Sequence, residues 1–424
     1  MRRFLACLAA VLAIAVGAAP GARAQDLLVA MDAGQTNHLR AYGVVYWALT
    51  ADLEVEWLLN YRGGAFLLPL DGEVEARLRE AGVSYERLSG AQTASVLGSV
   101  EDPANNQATI RLEKAPRVAV YAPTQSLPWD DAVLMALEYA KIPYEKIYDD
   151  DVLDGRLADF DWLHLHHEDF TGQFGKFYQF RNQPWYQQQK AGAEADAARR
   201  GYDKVSGLKL SVAAGIRGWV EKGGFMFAMC SGTDTFDLAL AAHATDIVPA
   251  EYDGDGVAPN ATGALDYSQT LAFTGFTPSL NPYEYEHSDI DAGAPPPEMR
   301  TAALDFFTLY DFRAKTDPVP TMLTQNHVAS VKGFLGQATL FARDRIKPSV
   351  TILAEAPGRN AVKYLTGTLG QGTFTFYAGH DPEDYQHFVG DPATDLDLYR
   401  SSPGYRLILN NVLFPAARKK PQKT

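Results

Sequence analysis

The chain has 424 residues, of which 46% are hydrophobic, 21% charged and 11% aromatic, and this composition excludes a disordered, collagen-like or coiled-coil protein. Its 52 acidic and 38 basic residues give a net charge of −14, which argues against nucleic acid or an anionic lipid surface as a partner. There are two cysteines, Cys7 and Cys230. Cys7 lies in a segment that we expect to be removed, so we expect one thiol and no internal disulfide in the mature chain.

The first 24 residues have the pattern of a signal peptide. A short cationic start precedes an apolar run over residues 4–17, which is too short to span a bilayer, and Ala22-Arg23-Ala24 is typical of a cleavage site. A membrane anchor is the alternative interpretation of this segment. No other stretch approaches the ~18 apolar residues of a membrane span. We therefore expect an exported protein, in the periplasm or the medium, without a membrane span after cleavage.

The elements that follow predict a small N-terminal β/α unit over residues 25–112. Apolar runs predict its strands, and apolar residues at helical spacing predict its helices. The predicted strands are 27–31, 54–59 and 83–88, and the predicted helices are 37–49, 72–81 and 91–100. The polar, proline-containing stretch 101–106 is typical of a linker.

A second β/α series predicts the core of the protein, in two parts, 116–248 and 350–415. Strands separated by helices indicate a parallel sheet with helices on both faces. In the first part the predicted strands are 118–121, 144–148, 161–166 and 225–229, and the helices are one beginning near 128, 205–219 and 233–242. In the second part the predicted strands are 350–353, 363–368 and 373–377, the last two as a hairpin, and the closing helix is 405–413.

Between these two parts, residues 249–349 are rich in Asp, Gly, Pro and Tyr and lose the β/α pattern. We interpret this stretch as an insertion that is partly β. The basic end of the chain, 416–424, is predicted to be a solvated tail.

Cys230 is the first candidate for chemistry. It directly follows the apolar strand 225–229 and precedes a helix, with the small residues Ala228 and Gly232 two positions away on either side. This pattern is typical of a nucleophile elbow, a tight strand-to-helix turn that presents one side chain. A helix start also favours the thiolate form, so we predict a nucleophilic thiol. The alternative is a buried cysteine at the end of a core strand.

His380 is the second candidate, because it follows the predicted strand 373–377 and three carboxylates come directly after it. A nucleophilic thiol needs a base, and that base needs an acid that orients it. We therefore predict His380 as the base and Asp381 or Glu383 as the orienting carboxylate. The alternative is a surface loop in which these acids are solvated or cap the next helix.

A third candidate group consists of His166, His167, Glu168 and Asp169. It lies at the end of the predicted strand 161–166, and open parallel sheets bind ligands at the carboxyl ends of their strands. We therefore predict that this group lines the substrate pocket. Such a group can also bind a divalent metal, but it lacks an established metal-ligand spacing, so we assign no metal. Arg62, in the glycine-containing turn 60–64, is a further candidate for binding an anionic part of the substrate.

The order of these pieces resembles the class I glutamine amidotransferase-like fold, including its ThuA-like branch. The resemblance covers about 116–245 and 350–415. It implies a flavodoxin-like parallel sheet, with Cys230, His380 and Glu383 at the positions of that fold's nucleophile, base and acid. Over its whole length the chain is similar to an exported bacterial family labelled asparagine synthetase B-like. The stretches that show this similarity are 58–64 (LLNYRGG), 164–172 (HLHHEDFTG) and 379–388 (GHDPEDYQHF).

Together these features predict an exported thiol-dependent amidase or hydrolase that acts on a polar small molecule. We do not expect an ATP-dependent synthetase, because the sequence has no Ser-Gly-Gly-x-Asp-Ser loop of the ATP-pyrophosphatase type. The alternatives are a non-catalytic ThuA-like protein that binds a sugar or another small molecule, and a metal-dependent hydrolase. No cofactor is predicted unless the metal alternative holds.

Overall fold

The structure, a computed structural model, describes residues 25–123, 131–388 and 390–417. The predicted signal peptide, 1–24, and most of the predicted tail, 416–424, lie outside these ranges. None of the helices in the described ranges has both the length and the apolar character needed to cross a bilayer.

The N-terminal unit is a five-stranded antiparallel sheet in the order β4-β1-β3-β2-β5. Its strands are β1 (Gln25–Val29), β2 (Val55–Leu59), β3 (Ala65–Pro69), β4 (Glu86–Ser89) and β5 (Ala108–Leu112), and its helices are α1 (His38–Thr50), α2 (Gly72–Glu80) and α3 (Gly90–Glu101). The sequence patterns predicted β1, β2, β4 and the three helices to within a few residues. They missed β3 and β5, the partners on either side of β2.

The second sheet has ten strands in the order β11-β10-β13-β14-β15-β9-β8-β6-β7, with β12 paired to β14. These strands are β6 (Val118–Tyr121), β7 (Glu145–Ile147), β8 (Trp162–Leu165), β9 (Phe225–Met229), β10 (Phe306–Leu309), β11 (Ser330–Lys332), β12 (Phe341–Ala342), β13 (Thr351–Glu355), β14 (Ala361–Leu369) and β15 (Gly372–Tyr377). The five strands β7, β6, β8, β9 and β15 are parallel to one another, and the remaining pairs are antiparallel.

The sheet is therefore mixed, which corrects the prediction of a parallel sheet while the α/β class stands. The antiparallel half comes from the predicted hairpin β14–β15 and from β10, β11 and β12, which belong to the stretch 249–349. Because β10 pairs with β13, part of the predicted insertion extends the main sheet rather than forming a separate layer.

Helices cover both faces of this sheet. They are α4 (Ala132–Ala140), α5 (Asp149–Leu153), α6 (Pro184–Arg199), α7 (Val205–Glu221), α8 (Ser231–Ala241), α9 (Ala250–Asp253), α10 (Pro318–Leu323) and α11 (Pro403–Leu413). Val118 and Val120 of β6 pack into the core that contains α1, α4 and α11. Ala119 and Tyr121 pack into the core that contains α7 and α8, because successive side chains of a strand point to opposite faces.

The four parallel strands β6, β8, β9 and β15 end at one edge of the sheet, and the tightest contact there joins β8 to the turn after β9. The Gly232 N–H donates to the His166 carbonyl at 2.6 Å. A Cβ on residue 232 would lie 2.5 Å from that carbonyl oxygen, so only glycine fits without a backbone shift. Cys230, two residues earlier, has φ +47° and ψ −140°, a strained conformation for a residue with a side chain. The predicted elbow is thus present in the backbone.

We expect Gly232→Ala to destabilise the fold by about 1–3 kcal/mol, because the added methyl group overpacks this contact. Urea denaturation measures the change. Gly218→Ala in α7 is the matched control, because no atom lies within 4 Å of an added Cβ there, and it should stabilise the helix by up to about 1 kcal/mol. Equal stability of Gly232→Ala and wild type would contradict the strict glycine requirement.

Candidate functional site

Five of the nine histidines of the chain gather at the carboxyl edge of the parallel strands. Three of them come from the end of β8 and the residues that follow it, and two come from the loop after β15. They are His164, His166, His167, His380 and His387. Parallel pairing of β8 to β9 and of β9 to β15 brings these two chain segments, which are more than 200 positions apart, to the same edge.

A buried carboxylate, Asp131, lies at the base of this histidine group. Its side chain caps α4 by accepting the N–H groups of Val133 at 2.8 Å and Leu134 at 3.1 Å. The same oxygen lies 3.3 Å from His164 Nε2 and 3.4 Å from His166 Nδ1. Burial alone would raise the pKa of Asp131, but the charges of His164 and His166 and the hydrogen bond with His164 lower it well below its ordinary value. Asp131 is therefore a buried anion that fixes the two imidazoles.

His166, His167 and His380 form the closest cluster, with one ring nitrogen of each within 4.8 Å of the others. The ring of His380 lies 4.4 Å from that of His166, nearly perpendicular to it, and 6.1 Å from that of His167, nearly parallel to it. His166 and His380 are buried, whereas His167 is partly exposed. The cluster thus has one ring that solvent can reach.

Burial lowers the pKa of His380 well below its ordinary value, and the neighbouring His166, His387 and His167 lower it further. His380 is therefore neutral at physiological pH. Its Nδ1 has no hydrogen-bond partner among the residues that the structure describes. A neutral imidazole with an available nitrogen lone pair is the form that binds a metal ion.

The ring of His387 stacks on the ring of His380. Their rings stack in parallel with centroids 4.2 Å apart, and Asp384 Oδ2 lies 3.0 Å from His387 Nδ1. The sequence patterns gave His387 no role. A possible signal was its place in the same loop as His380, with Asp384 three residues before it.

The predicted orienting acids, Asp381 and Glu383, have other partners than His380. Asp381 accepts hydrogen bonds from the Tyr405 hydroxyl at 2.9 Å and from Thr394 Oγ1 at 2.7 Å. The side chain of Glu383 is hydrogen-bonded to Ser402. Both carboxylates therefore fasten the loop after β15 to the segment that leads into α11, and the orienting role predicted for them is not seen.

Cys230 lies at the same edge, but its thiol is held in the protonated form. Its side chain is buried, and burial raises its pKa to about 12, although the backbone N–H groups of Ser231 and Gln337 lower it in part. The prediction that the helix start favours the thiolate is therefore wrong, because desolvation outweighs it. No hydrogen bond joins Cys230 to His380 in the described part of the chain.

The two acids of the third candidate group, Glu168 and Asp169, lie in different surroundings. Glu168 adjoins the histidine cluster, and burial raises its pKa although the charges of His167 and Lys209 oppose this. Asp169 turns away and accepts the N–H groups of Thr171 at 2.7 Å and Gly175 at 3.0 Å. It organises the loop after β8 and lies 3.6 Å from Nε2 of the buried His287, and it is not part of the cluster formed by His166, His167 and His380.

Arg62 belongs to the N-terminal sheet, where its guanidinium pairs with Asp32 at 2.8 Å and with Glu86. These two carboxylates are the partners that the structure shows for Arg62, and its predicted role in substrate binding stays a prediction.

Lys209 is a site residue that the sequence patterns missed. Its Nζ is buried and donates to both oxygens of Asp149, at 2.9 and 3.0 Å, and to the Tyr121 hydroxyl at 3.0 Å. It supplies positive charge beside Glu168. Its position four residues after Val205, on the apolar stripe of α7, was a signal that could have identified it.

No protein-family model matches the chain, and a search of curated proteins finds no match. Among solved structures, two chains of Salmonella typhimurium, each described as a cytoplasmic protein, show a distant likeness. Their TM-scores are 0.36 and 0.35 at 10% and 12% identity, and the matches cover 72% and 71% of this chain and all of theirs. Likeness at this level assigns no activity to the chain.

We expect His380→Gln to reduce the acid sensitivity of the fold. Below about pH 6.5 the unfolded chain protonates this histidine and the folded chain does not, so the free energy of unfolding falls as the pH falls. His380→Gln removes a group that takes up one proton on unfolding. The slope of the unfolding free energy against pH should therefore fall by up to about 1.4 kcal/mol per pH unit. Urea denaturation between pH 7.5 and 5.5 measures it. Gln386→His adds an exposed imidazole in the same loop and should keep the wild-type slope, whereas an unchanged slope for His380→Gln would contradict the neutral, buried state.

Proposed function

We propose that the protein is a divalent-metal-dependent hydrolase with His166, His167 and His380 as metal ligands. The observation that carries the proposal is the approach of one nitrogen from each ring to within 4.8 Å of the others, at the carboxyl edge of the parallel strands. Three imidazoles with a fourth position open to water are the ligand set of many catalytic Zn²⁺ sites. The partly exposed His167 gives this position access to solvent.

Asp131 contacts one of the proposed ligands, His166, from outside the proposed metal site and holds its ring in place. A histidine that binds a metal through one nitrogen usually has the other nitrogen held by a carboxylate, which fixes the ring and increases its basicity. The Nδ1 of His166 faces Asp131 at 3.4 Å, which fits this role. His380, kept neutral by burial, needs to lose no proton before it binds an ion.

Glu168 is the residue that we assign to proton transfer. A metal ion lowers the pKa of a bound water to about 7, and the raised pKa of Glu168 suits a carboxylate that accepts this proton. With a metal ion bound, the site would supply a hydroxide for attack on the carbonyl carbon of an amide or ester. Glu168 would hold the proton taken from this water and return it to the leaving group when the C–N or C–O bond breaks, so that one water would be consumed for each bond cleaved.

A second candidate, a thiol-dependent hydrolase with Cys230 as nucleophile, is favoured by the elbow. Cys230 has the strained φ of +47°, and two backbone N–H groups point at its sulfur. Strain of this kind is concentrated at functional positions. The thiol is protonated in the free protein, so this candidate requires that substrate binding brings a base within reach of the Cys230 sulfur.

Three broader expectations accompany either candidate as proposals. The fold belongs to the class I glutamine amidotransferase-like group, which the elbow at Cys230 and the histidine after the neighbouring strand β15 support. The chain is a member of the exported asparagine synthetase B-like family, with residues 1–24 as its export signal. Its substrate is a polar small molecule.

Metal binding tests the first candidate. Chelator-treated protein should bind about one equivalent of Zn²⁺ or Co²⁺ in isothermal titration calorimetry, and His167→Ala or His380→Ala should abolish this binding. Asp131→Asn keeps an N-cap side chain but removes the charge, so it should weaken binding by about 10–100-fold. The surface variant His243→Ala is the control and should bind as wild type does. Absence of stoichiometric binding to the wild-type protein would exclude the proposed centre.

Iodoacetamide labelling separates the two candidates. We expect no modification of Cys230 in the folded protein at pH 7.5 and full modification in urea, because the thiol is buried and its pKa is about 12. Rapid labelling of the native protein that disappears in His380→Ala would instead support the thiol candidate. Mass spectrometry of the peptide that contains Cys230 gives the readout.

A further inference from the structure

A cleft of about 550 Å³ lies between the N-terminal sheet and two segments of the stretch 249–349. The N-terminal sheet contributes Asn60, Gly63 and residues 105–107, and the facing segments are 309–312 and 324–329. This volume is within the range of pockets for small ligands. None of the five histidines of the candidate site is among the residues that line it.

The wall of the cleft is built from carboxamide side chains that hold one another in place. The Asn60 N–H donates to Gln325 Oε1 at 2.9 Å, and Gln325 Nε2 donates back to Asn60 Oδ1 at 2.8 Å. Asn106 Nδ2 donates to the Phe312 carbonyl at 3.0 Å, and its Oδ1 accepts the Ala314 N–H at 2.9 Å. These bonds tie the two sides of the cleft together, so the wall is formed before any ligand binds.

The same side chains retain hydrogen-bonding capacity. A carboxamide has two N–H donors and two acceptor lone pairs, and Asn106 uses one of each in the bonds above. Gln107 donates to the Asn60 carbonyl at 3.3 Å, but its buried Oε1 has no partner among the described residues. A buried acceptor of this kind is ordinarily satisfied, so a ligand donor or an ordered water is expected there.

The charge of the cleft argues against anionic ligands. Among the described residues that line it there is no lysine or arginine, and Asp311 is the single acid. His327 is neutral at physiological pH, because burial and then the charge of the nearby Arg406 lower its pKa to about 4. Anions therefore lack a cationic partner in the cleft, and the lining favours a neutral ligand with many hydroxyl or amide groups.

Aromatic rings add an apolar component on one side. Tyr310 and Phe312 both line the cleft, and the Tyr310 hydroxyl is fixed by a 2.5 Å hydrogen bond to Glu355 Oε2. Val328, which also lines the cleft, is 39% exposed. A site that combines amides with flat aromatic surfaces matches a sugar ring, which has polar hydroxyls at its edge and C–H groups on its faces.

From these observations we infer that the cleft between the N-terminal sheet and the segments 309–312 and 324–329 binds a neutral carbohydrate of mono- or disaccharide size. This site is separate from the histidine centre, and the inference does not depend on the proposed hydrolytic activity.

Isothermal titration calorimetry with glucose, galactose, N-acetylglucosamine, maltose and cellobiose tests the inference, with glucuronate and glucosamine as the charged comparisons. We expect at least one neutral sugar to bind with a dissociation constant of about 1 mM or tighter. Val328→Trp adds a bulky side chain at an exposed lining position that takes no part in the carboxamide hydrogen bonds, so it should weaken binding at least tenfold. Gln107→Leu removes the buried acceptor and should weaken binding about tenfold.

Gln371→Leu, in the exposed turn between β14 and β15, is the control and should bind as wild type does. Circular dichroism and the melting temperature establish that each variant is folded, and Val328→Trp decides the outcome if Gln107→Leu loses structure. Failure of all five neutral sugars to bind, binding of glucuronate or glucosamine alone, or wild-type affinity in Val328→Trp would each overturn the inference.

Discussion

The hydrogen bond from the Gly232 N–H to the His166 carbonyl is the contact on which the arrangement of the site depends. It joins the end of β8 to the first turn of α8, so the elbow residue Cys230 and the histidine cluster are held at a fixed separation. The Cys230 N–H also donates to the Gly379 carbonyl at 3.2 Å, which ties the same elbow to the end of β15. Three parallel strands are thus locked together at the edge where His166, His167 and His380 meet. A side chain at position 232 would force these strand ends apart.

Desolvation then decides which of the residues at this edge can react. Burial favours the neutral form of every ionisable group, but the consequence differs with the chemistry of the group. His380 becomes a neutral imidazole, which is the form that binds a metal ion, whereas Cys230 becomes a protonated thiol, which is a poor nucleophile. Asp131 escapes neutralisation, because two imidazoles and the N-terminus of α4 stabilise its charge. One buried environment therefore leaves a neutral imidazole and a protonated thiol at the same edge.

The N-terminal sheet is attached to the main sheet by a buried cation. The Arg406 guanidinium, on α11, donates to the Met31 carbonyl at 2.8 Å, to the Tyr42 hydroxyl at 3.0 Å and to the Gly63 carbonyl. It fixes the position of the N-terminal unit, which forms one wall of the cleft of about 550 Å³. Burial and then the charge of Arg406 lower the pKa of His327, which lines the cleft. Arg406 therefore both positions the wall of the cleft and helps to keep this histidine neutral.

The sequence by itself determined the local elements and the placement of several candidate residues. Apolar runs and helical spacing predicted β6, β8, β9, β15 and α7, with β6 and β9 correct at both ends, because burial of one strand or helix face is recorded in nearby residues. The rule that parallel strands end at one edge correctly placed His166, His167, Cys230 and His380 together. The tertiary structure alone decided that the sheet continues antiparallel beyond the predicted hairpin, that Asp381 bonds to Tyr405 and that Asp131 faces His166. Strand direction, side-chain partners and desolvation all depend on contacts between residues far apart in the chain, which no local pattern records.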